Sequence, residues 1–317
     1  MSAIRLGTRA STLATTQSEM VARLLRSEGL DVDLTTITTH GDTSTASLAA
    51  MGGIGVFASA IRATLLKGEA DIAVHSFKDL PTGRPLGLAI GAVPARADPR
   101  DALVARDGLT LHDLPQEASV GTGSPRRAAQ LLAVRPDLTI VDIRGNVDTR
   151  LGRVKGLGRY AKNGGKEDLD AVVLAASGLA RLGHSGAVTE FLDPSVVLPA
   201  PAQGALAVEC RTADSRHGKL AKALARIDDR RTRLAATAER AVLSHLEAGC
   251  AAPIGALAQL KPVSGSSPQV LTLDVVVATV DGSRIIREQV SVELPAEVDS
   301  ALAAAHTLGV TAAEELL

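Results

Sequence analysis

A short apolar run, residues 72–74, ends abruptly in the polar segment H-S-F-K-D-L-P-T, residues 75–82. Such a run is typical of a strand that is buried on both faces of a sheet. In an open α/β sheet, loops and ligands meet at the carboxyl ends of the strands. Lys78 and Asp79 follow this strand directly, so the sequence predicts a reactive cluster there. Because the two residues are adjacent, only one can face a given ligand squarely in extended chain.

The composition narrows the class of protein. The chain has 317 residues, 45% of them apolar, which is enough for two or three folded domains. A net charge of −1 argues against general nucleic-acid binding. No apolar run approaches the length of a membrane span and the start M-S-A-I-R-L lacks a signal-peptide core, so we expect a cytoplasmic protein with no membrane partner. Nothing in the sequence demands more than a monomer.

Aromatic residues make up only 1% of the chain, so a cyclic ligand must be held mainly by charge and hydrogen bonds. The two cysteines provide no disulfide framework, and no clustered ligands indicate a metal. Cys210 lies in an apolar run and is predicted to be a buried structural thiol. Cys250 lies in a loop, where it can be accessible or simply an ordinary thiol. His40 and His75 fit either acid–base chemistry or structural hydrogen bonding.

The first third of the chain has the β-α-β-α-β pattern of a parallel sheet. We predict strands at residues 4–7, 32–38 and 72–74, and helices at 12–28 and 57–67, with a long, mobile Gly-rich loop between the second strand and the second helix. The first helix is predicted to have Ser11 as its N-cap. Its buried stripe is predicted to be Leu13, Met20, Val21, Leu24 and Leu25.

A second unit begins near Pro99 with the strand D-A-L-V-A. Further on, Ser124 is predicted to cap a helix whose first residue is Pro125. Arg126 and Arg127 then fall in the first turn, where the helix dipole disfavours each cation by about 0.3–1 kcal/mol. A bound anion would remove that cost. The alternative is a pair of surface arginines that pair with nearby carboxylates, but two arginines in one first turn favour a ligand site.

Arginines recur where predicted strands end, near residues 9, 126, 144 and 181. Arg9 precedes a helix N-terminus, although an arginine there is often merely solvated. Arg144 follows a strand at 138–143, with Arg150 on the next helix, and Gly145 between them allows close backbone approach. Arg181 follows a strand at 170–175. Together these residues predict a cleft for a ligand that carries several negative charges.

The chain is predicted to cross between two α/β domains twice, at the Pro-rich segments 94–99 and 194–201. Domain 1 would comprise residues 1–97 and 196–224, and domain 2 residues 98–195. Domain 3, residues 225–317, would be a smaller α+β domain with a helix at 230–246, a hairpin around Asp281 and Gly282, and a final helix. Residues 155–166 are predicted to form a flexible surface loop away from the chemistry.

Assembled in order, these stretches resemble the porphobilinogen deaminase (hydroxymethylbilane synthase) family. The likeness extends from end to end of the chain. It covers G-T-R-A-S, the G-G-x-G-x-F loop, A-D-I-A-V-H-S-F-K-D-L-P, D-P-R-D-A, V-G-T-G-S-P-R-R, I-R-G-N-V-D-T-R, L-A-A-S-G-L-A-R-L-G, P-A-P-A-Q-G-A-L-A-V-E-C-R, A-E-R-A-V-L and L-E-A-G-C-A-A-P-I-G.

The resemblance implies two periplasmic-binding-protein-like α/β domains around a cleft, a smaller third domain, and a dipyrromethane cofactor that is joined to Cys250 by a thioether. It implies that four porphobilinogen molecules condense head to tail with loss of ammonia, through an electrophilic azafulvene, to give hydroxymethylbilane. Asp79 would be the catalytic carboxylate, assisted by Lys78. The implied cofactor-binding set is Cys250, Lys78, Asp79, Ser76, Thr122, Ser124, Arg126, Arg127, Arg144, Gly145 and Gln203. The implied substrate-binding set is Arg9, Ser11, Gln17, Arg144, Arg150 and Arg181.

The chain departs from the family pattern in the Gly-rich loop. Ile54 stands where many relatives carry Lys, and Ser59 and Ala60 stand where they often carry Lys or Thr followed by Glu, which puts any charged role of that loop in doubt. The competing interpretation is a two-lobed binding protein for a small polycarboxylate, such as a solute-binding protein or the effector domain of a transcription regulator. The missing export signal, the missing DNA-binding module and the third domain with its cysteine argue against it.

Overall fold

The computed structural model describes residues 3–37, 56–83, 85–247, 252–261 and 269–316. Its strands are β1 (Ile4–Thr8), β2 (Val32–Thr36), β3 (Ile72–Ser76), β4 (Leu88–Ala92), β5 (Asp101–Ala105), β6 (Ser119–Gly121), β7 (Thr139–Val141), β8 (Ala171–Ala175), β9 (Glu190–Phe191), β10 (Leu206–Arg211), β11 (Ile254–Leu260), β12 (Gln269–Ala278) and β13 (Ile285–Leu294). Its α-helices are α1 (Thr12–Ser27), α2 (Val56–Leu66), α3 (Pro125–Val134), α4 (Val147–Leu151), α5 (Ala176–Arg181), α6 (Gly218–Ile227), α7 (Arg230–His245) and α8 (Val298–Glu314).

Two five-stranded sheets in the described residues share one arrangement. The first has the order β2-β1-β3-β10-β4 and the second the order β7-β6-β8-β5-β9. In each sheet the first three strands are parallel and the fourth is antiparallel to both neighbours. The antiparallel strand of the first sheet, β10, follows the second sheet in the chain. We call the segment that leads back from the second sheet to the first, residues 192–205, the returning chain. The predicted α/β class is therefore confirmed, with a late segment completing the first sheet.

A smaller antiparallel sheet, β11-β12-β13, forms the centre of a third unit. The helices α7 and α8 cover one face of it, and their buried residues form a single apolar core with those of the sheet. This matches the predicted α+β unit. The β12-β13 hairpin was predicted from the sequence, whereas β11 was not, because the Ala-rich stretch 254–260 has weak strand propensity. None of the helices in the described ranges is long and apolar enough to cross a membrane.

The buried face of α1 differs from the predicted stripe. Val21 and Leu25 are fully buried, as predicted, but Met20 and Leu24 are 39% and 41% exposed. The buried face is rotated toward Gln17, whose side-chain amide bonds the Ser76 hydroxyl at 2.9 Å. A polar residue can take a core position when its hydrogen bonds are satisfied, so the pattern of apolar residues alone placed this face wrongly.

Residues 155–166 lie at the surface, as predicted, but they are not simply featureless. They contain a 3-10 turn at Gly158–Tyr160, and Tyr160 packs partly against the core of the second sheet. Lys155 also pairs with the Asp170 carboxylate at 2.8 Å. The Gly-rich loop with Ile54 and His40 lies outside the described residues.

At Gly204 the returning chain passes very close to Ala97, in the segment that leads from the first sheet to the second. This glycine has φ +88°, and a Cβ there would lie 2.5 Å from the Ala97 carbonyl oxygen. Its own carbonyl accepts bonds from the Ala97 amide and the Arg181 guanidinium. Only glycine meets both conditions, because other residues disfavour positive φ and their Cβ would overlap the neighbouring backbone.

We predict that Gly204→Ala lowers the free energy of unfolding by about 2–4 kcal/mol, since the strained φ and the overlap add together. Urea denaturation of the purified protein measures this. The control is Gly186→Ala, whose Cβ would meet no atom within 4 Å and whose φ is not left-handed; it is expected to change stability by less than about 0.5 kcal/mol. Equal stability of the two variants would contradict the prediction.

Candidate active site

The polar cluster after β3 forms a short 3-10 helix, Phe77–Asp79, that divides its side chains between two environments. Phe77 and Leu80 are buried behind it in an apolar cluster. Lys78 and Asp79 lie on the other side and line a pocket of about 160 Å³. The sequence prediction that only one of these two residues can face a given ligand assumed extended chain and is wrong, because a 3-10 turn carries them and both line the pocket.

The same pocket brings together residues from three parts of the fold. The start of α3 contributes Ser124, Arg126 and Arg127, and the segment before β10, which belongs to the first sheet together with β3, contributes Gln203. The third unit contributes Leu243, Ala252 and Ile254. Cys250 itself lies outside the described residues, but Ala252, the first described residue after it in the chain, lines this pocket.

One carboxylate organises the basic residues. Asp101, at the start of β5, is fully buried and pairs with Arg126 at 2.8 Å and with Arg127 at 2.7 Å. Burial alone would raise the pKa of Asp101, but the two guanidinium groups outweigh it and hold the pKa well below its ordinary value. Asp101 is not among the residues predicted from the sequence. A charged residue that opens the apolar strand D-A-L-V-A was the available signal.

Both arginines are therefore buried, at 4% and 6% exposure, and not on the surface. Two guanidinium groups share the single Asp101 carboxylate, so the cluster of Asp101, Arg126 and Arg127 has a net positive charge. Each arginine also donates to a backbone carbonyl: Arg126 to Leu198 at 2.7 Å, and Arg127 to Val173 at 3.1 Å. Ser124 stands at the predicted N-cap position, yet its hydroxyl makes no capping bond within the described chain. Its amide instead donates to the Thr122 hydroxyl at 3.2 Å.

Lys78 joins this group through Gln203. The Lys78 ammonium donates to Gln203 Oε1 at 3.2 Å, and Gln203 Nε2 donates to Asp101 at 2.8 Å and to the Pro99 carbonyl at 2.8 Å. Burial lowers the pKa of Lys78 to about 8, an effect that Arg127 and Arg126 reinforce and that Asp79 and Asp101 oppose. An anion bound in this pocket would favour the charged form of Lys78.

Three further predicted residues, Arg144, Gly145 and Arg150, lie on α4 or in the segment before it. Arg150 donates to the Gly145 carbonyl at 2.9 Å, and Gly145 has φ +101°. Burial lowers the pKa of Arg150, and the interacting charges include Arg127 and Asp79, so Arg150 faces the same cluster. Arg144 is 53% exposed and lies 3.7 Å from Asp142, which leaves its guanidinium accessible.

Other predicted residues lie in the first unit, at the ends of β1 and β3 and on α1. Arg9 follows β1, as predicted, and Ser11 caps α1 by accepting the Ala14 amide at 3.3 Å. Gln17 and Ser76 bond each other and tie α1 to the end of β3. His75 lies 3.3 Å from Glu209, which Arg62 also binds, so the contacts favour a structural role. Cys210 is fully buried, as predicted, and burial raises the pKa of its thiol to about 11.

The sequence pattern placed Arg181 at a strand end, but the structure does not. It is the last residue of α5, where the helix dipole favours a cation, and it reaches the Gly204 carbonyl at 2.7 Å. Burial lowers its pKa to about 10. Its Nε is buried and makes no hydrogen bond within the described part of the chain. An unsatisfied buried guanidinium nitrogen fits a site for an anionic group.

Two family models together match almost the whole chain. The family model for the dipyrromethane-cofactor-binding domain of porphobilinogen deaminase matches residues 4–219, and the model for its C-terminal domain matches residues 233–317. The chain belongs to the porphobilinogen deaminase family. Members of this family join four porphobilinogen molecules head to tail with loss of ammonia, and so does this chain, on a dipyrromethane cofactor.

Curated relatives support the same assignment. The chain is 96% identical over 317 residues to the porphobilinogen deaminase of Cutibacterium acnes, covering all of this chain and 95% of the relative. It is 51% identical to that of Micrococcus luteus, covering 100% and 93%, and 50% identical to that of Thermobifida fusca, covering 99% and 92%. Among solved structures, apo YehZ from Escherichia coli aligns at 14% identity over 72% of this chain and 86% of that protein, with a TM-score of 0.42.

The residues of the pocket fit a dipyrromethane that carries acetate and propionate groups. Three cations, Lys78, Arg126 and Arg127, line it with one carboxylate, Asp79, so the donor set matches carboxylate groups of the ligand. The near absence of aromatic residues is consistent with this, because the protein would bind the ligand through its carboxylates rather than by stacking on its rings.

We predict that Lys78 reacts with an acylating reagent at unusually low pH. The neutral amine is the reactive form, and a pKa of about 8 populates it well below the ordinary lysine value of 10.5. Competitive labelling with acetic anhydride and peptide mass spectrometry gives the midpoint, with exposed Lys162 as the internal standard. Added polycarboxylate should shift the midpoint to higher pH. A midpoint near 10.5 in the cofactor-free protein would contradict the prediction.

Proposed function

We propose that Asp79 is the catalytic carboxylate of the condensation and that Lys78, Arg126 and Arg127 hold the carboxylates of the cofactor. The observation that carries this proposal is the shared pocket: Asp79 is a carboxylate at the rim of a basic pocket built from three parts of the chain. When ammonia leaves porphobilinogen, positive charge develops on the pyrrole nitrogen. A fixed carboxylate stabilises this charge where it forms, which is often the largest contribution to catalysis.

In this proposal, the basic residues orient the cofactor and the substrate by binding their carboxylates. Guanidinium forks bind carboxylates in two-point contacts and hold them at a defined angle. Five further residues would complete the cofactor site, mostly by positioning the basic side chains: Ser76, Thr122, Ser124, Gly145 and Gln203. Arg9, Ser11, Gln17, Arg144, Arg150 and Arg181 would bind the acetate and propionate groups of the substrate and the growing chain.

Cys250 is proposed to carry the cofactor through a thioether. Ala252 and Leu243, which flank this segment in the chain, both line the basic pocket, and this supports the assignment. When bound, the dipyrromethane supplies a free α-carbon as the nucleophile for the first condensation. The covalent tether would keep the lengthening product at the site between condensations.

The domain boundaries 1–97 with 196–224, 98–195 and 225–317 are part of the proposal. The membership of β10 in the first sheet supports the discontinuous first domain. We further propose that the protein acts as a monomer in the cytoplasm, without nucleic-acid or membrane partners. The net charge of −1 supports the absence of nucleic-acid binding.

We predict that the intact mass of the purified protein exceeds the sequence mass by one dipyrromethane. Cys250→Ser should abolish this excess, because the thiol that is proposed to form the thioether is missing. Cys210→Ser is the matched control and should retain the excess, since that thiol is fully buried away from the pocket. An unmodified parent protein would instead favour the polycarboxylate-binding interpretation.

We predict that Asp79→Ala folds and keeps its covalent adduct but turns over at least about 100-fold more slowly, because the carboxylate opposite the developing charge is missing. Steady-state condensation of porphobilinogen gives the rate, and intact mass verifies the adduct. The control is Asp107→Asn, a 69% exposed carboxylate outside the pocket, which should leave turnover within about two-fold. Near-normal turnover of Asp79→Ala would remove the proposed role.

A further inference from the structure

The 3-10 helix that carries Lys78 and Asp79 is held from behind by one arginine of the third unit. Arg240, on α7, donates to three carbonyl groups of the turn: to Phe77 at 3.0 Å, to Leu80 at 2.7 Å and to Pro81 at 2.7 Å. Its guanidinium carbon also lies 4.5 Å from the centre of the Phe77 ring. A planar group with five N–H donors can make all these contacts at once.

These contacts face away from the pocket that Lys78 and Asp79 line. Phe77, Leu80, Pro81 and Arg240 belong instead to the wall of a second, wider pocket of about 850 Å³. The turn is thus the partition between two pockets, with the charged side chains on one side and the arginine contacts on the other. Carbonyl groups of so short a turn have few partners of their own, so the arginine defines the direction in which the turn faces.

We infer that Arg240 is a positioning residue for Asp79. The inference rests on the proposed role of Asp79. Arg240 fixes the backbone on either side of Asp79, from Phe77 to Pro81, and so sets where the carboxylate lies relative to the basic pocket. Displacement of a catalytic group by about 1 Å can cost about 100-fold in rate. Because α7 belongs to the third unit, the same contact also fixes that unit against the turn.

The chain provides a matched control on the same helix. Arg233 lies seven residues earlier, lines the same wide pocket, and pairs with Asp228 at 2.7 Å and more weakly with the Ile90 carbonyl at 3.4 Å. It makes a comparable number of polar contacts but does not contact the turn within the described residues. Loss of either arginine removes a cation from the pocket wall, and only loss of Arg240 releases the turn.

The test compares Arg240→Ala, Arg240→Lys and Arg233→Ala as adduct-carrying proteins. Arg240→Ala should lower kcat by about 10- to 100-fold with KM within about three-fold, because substrate groups are still bound while the carboxylate is misplaced. Arg240→Lys should fall between this variant and the parent, since an ammonium group cannot span three carbonyls. Arg233→Ala should keep kcat within about two-fold of the parent.

Two readouts separate positioning from general destabilisation. Amide hydrogen exchange in the peptide that contains residues 76–81 should speed up in Arg240→Ala and stay at the parent rate in Arg233→Ala. Millimolar guanidinium, which can enter the emptied site through the wide pocket, should restore part of the lost kcat of Arg240→Ala, whereas ethylammonium should not. If Arg240→Ala does not fold, Arg240→Lys carries the kcat and hydrogen-exchange measurements.

Equal kcat in Arg240→Ala and Arg233→Ala would overturn the inference, and so would unchanged exchange in the turn. Failure of the underlying proposal has a different signature. If Asp79→Ala retains near-normal turnover, the proposed role of Asp79 is wrong whatever the Arg240 variants do, and the exchange data still report whether Arg240 holds the turn.

Discussion

The buried Asp101 carboxylate is the constraint on which the site depends. Two guanidinium groups, a side-chain amide and, through that amide, a lysine all take their positions from it. A lone buried carboxylate would be costly, and so would two buried arginines without a counter-charge. Together they form a cluster that is stable enough to stay buried and still lacks negative charge. A polyanionic ligand supplies that charge, so the architecture and the ligand are electrostatically complementary.

The third unit is joined to this cluster through a second buried carboxylate. Glu239, on α7, is fully buried and binds Arg96 through both oxygens, at 2.6 and 3.0 Å. It also accepts the amides of Ala202 and Ala258, which belong to the returning chain and to β11. Ala202 has φ +60°, a strained value for a residue with a Cβ, and the bond from its amide helps to hold this conformation next to Gln203.

Features that depend on neighbouring residues were predicted well from the sequence. The strand-to-helix junction at Arg9, the proline at the start of α3 and the buried Cys210 were all recognised from local patterns. Arg126 and Arg127 were recognised as unusual because the helix dipole disfavours them. Their partner, Asp101, was missed, since it lies far from both arginines in the chain and no local pattern links them. The exposure of Met20 and Leu24 was missed for a related reason: the hydrogen bond between Gln17 and Ser76 decides which face of α1 is buried.

The separation of these contacts along the chain has a consequence for biosynthesis. The Lys78–Gln203 bond spans 125 positions, and the Arg96–Glu239 pair spans 143. Contacts between such distant segments form late, because closing long loops costs entropy before any contact repays it. A nascent chain that is still on the ribosome therefore has both sheets largely synthesised but no finished site. The site is complete only once α7 and β11, in the last third of the chain, have been synthesised.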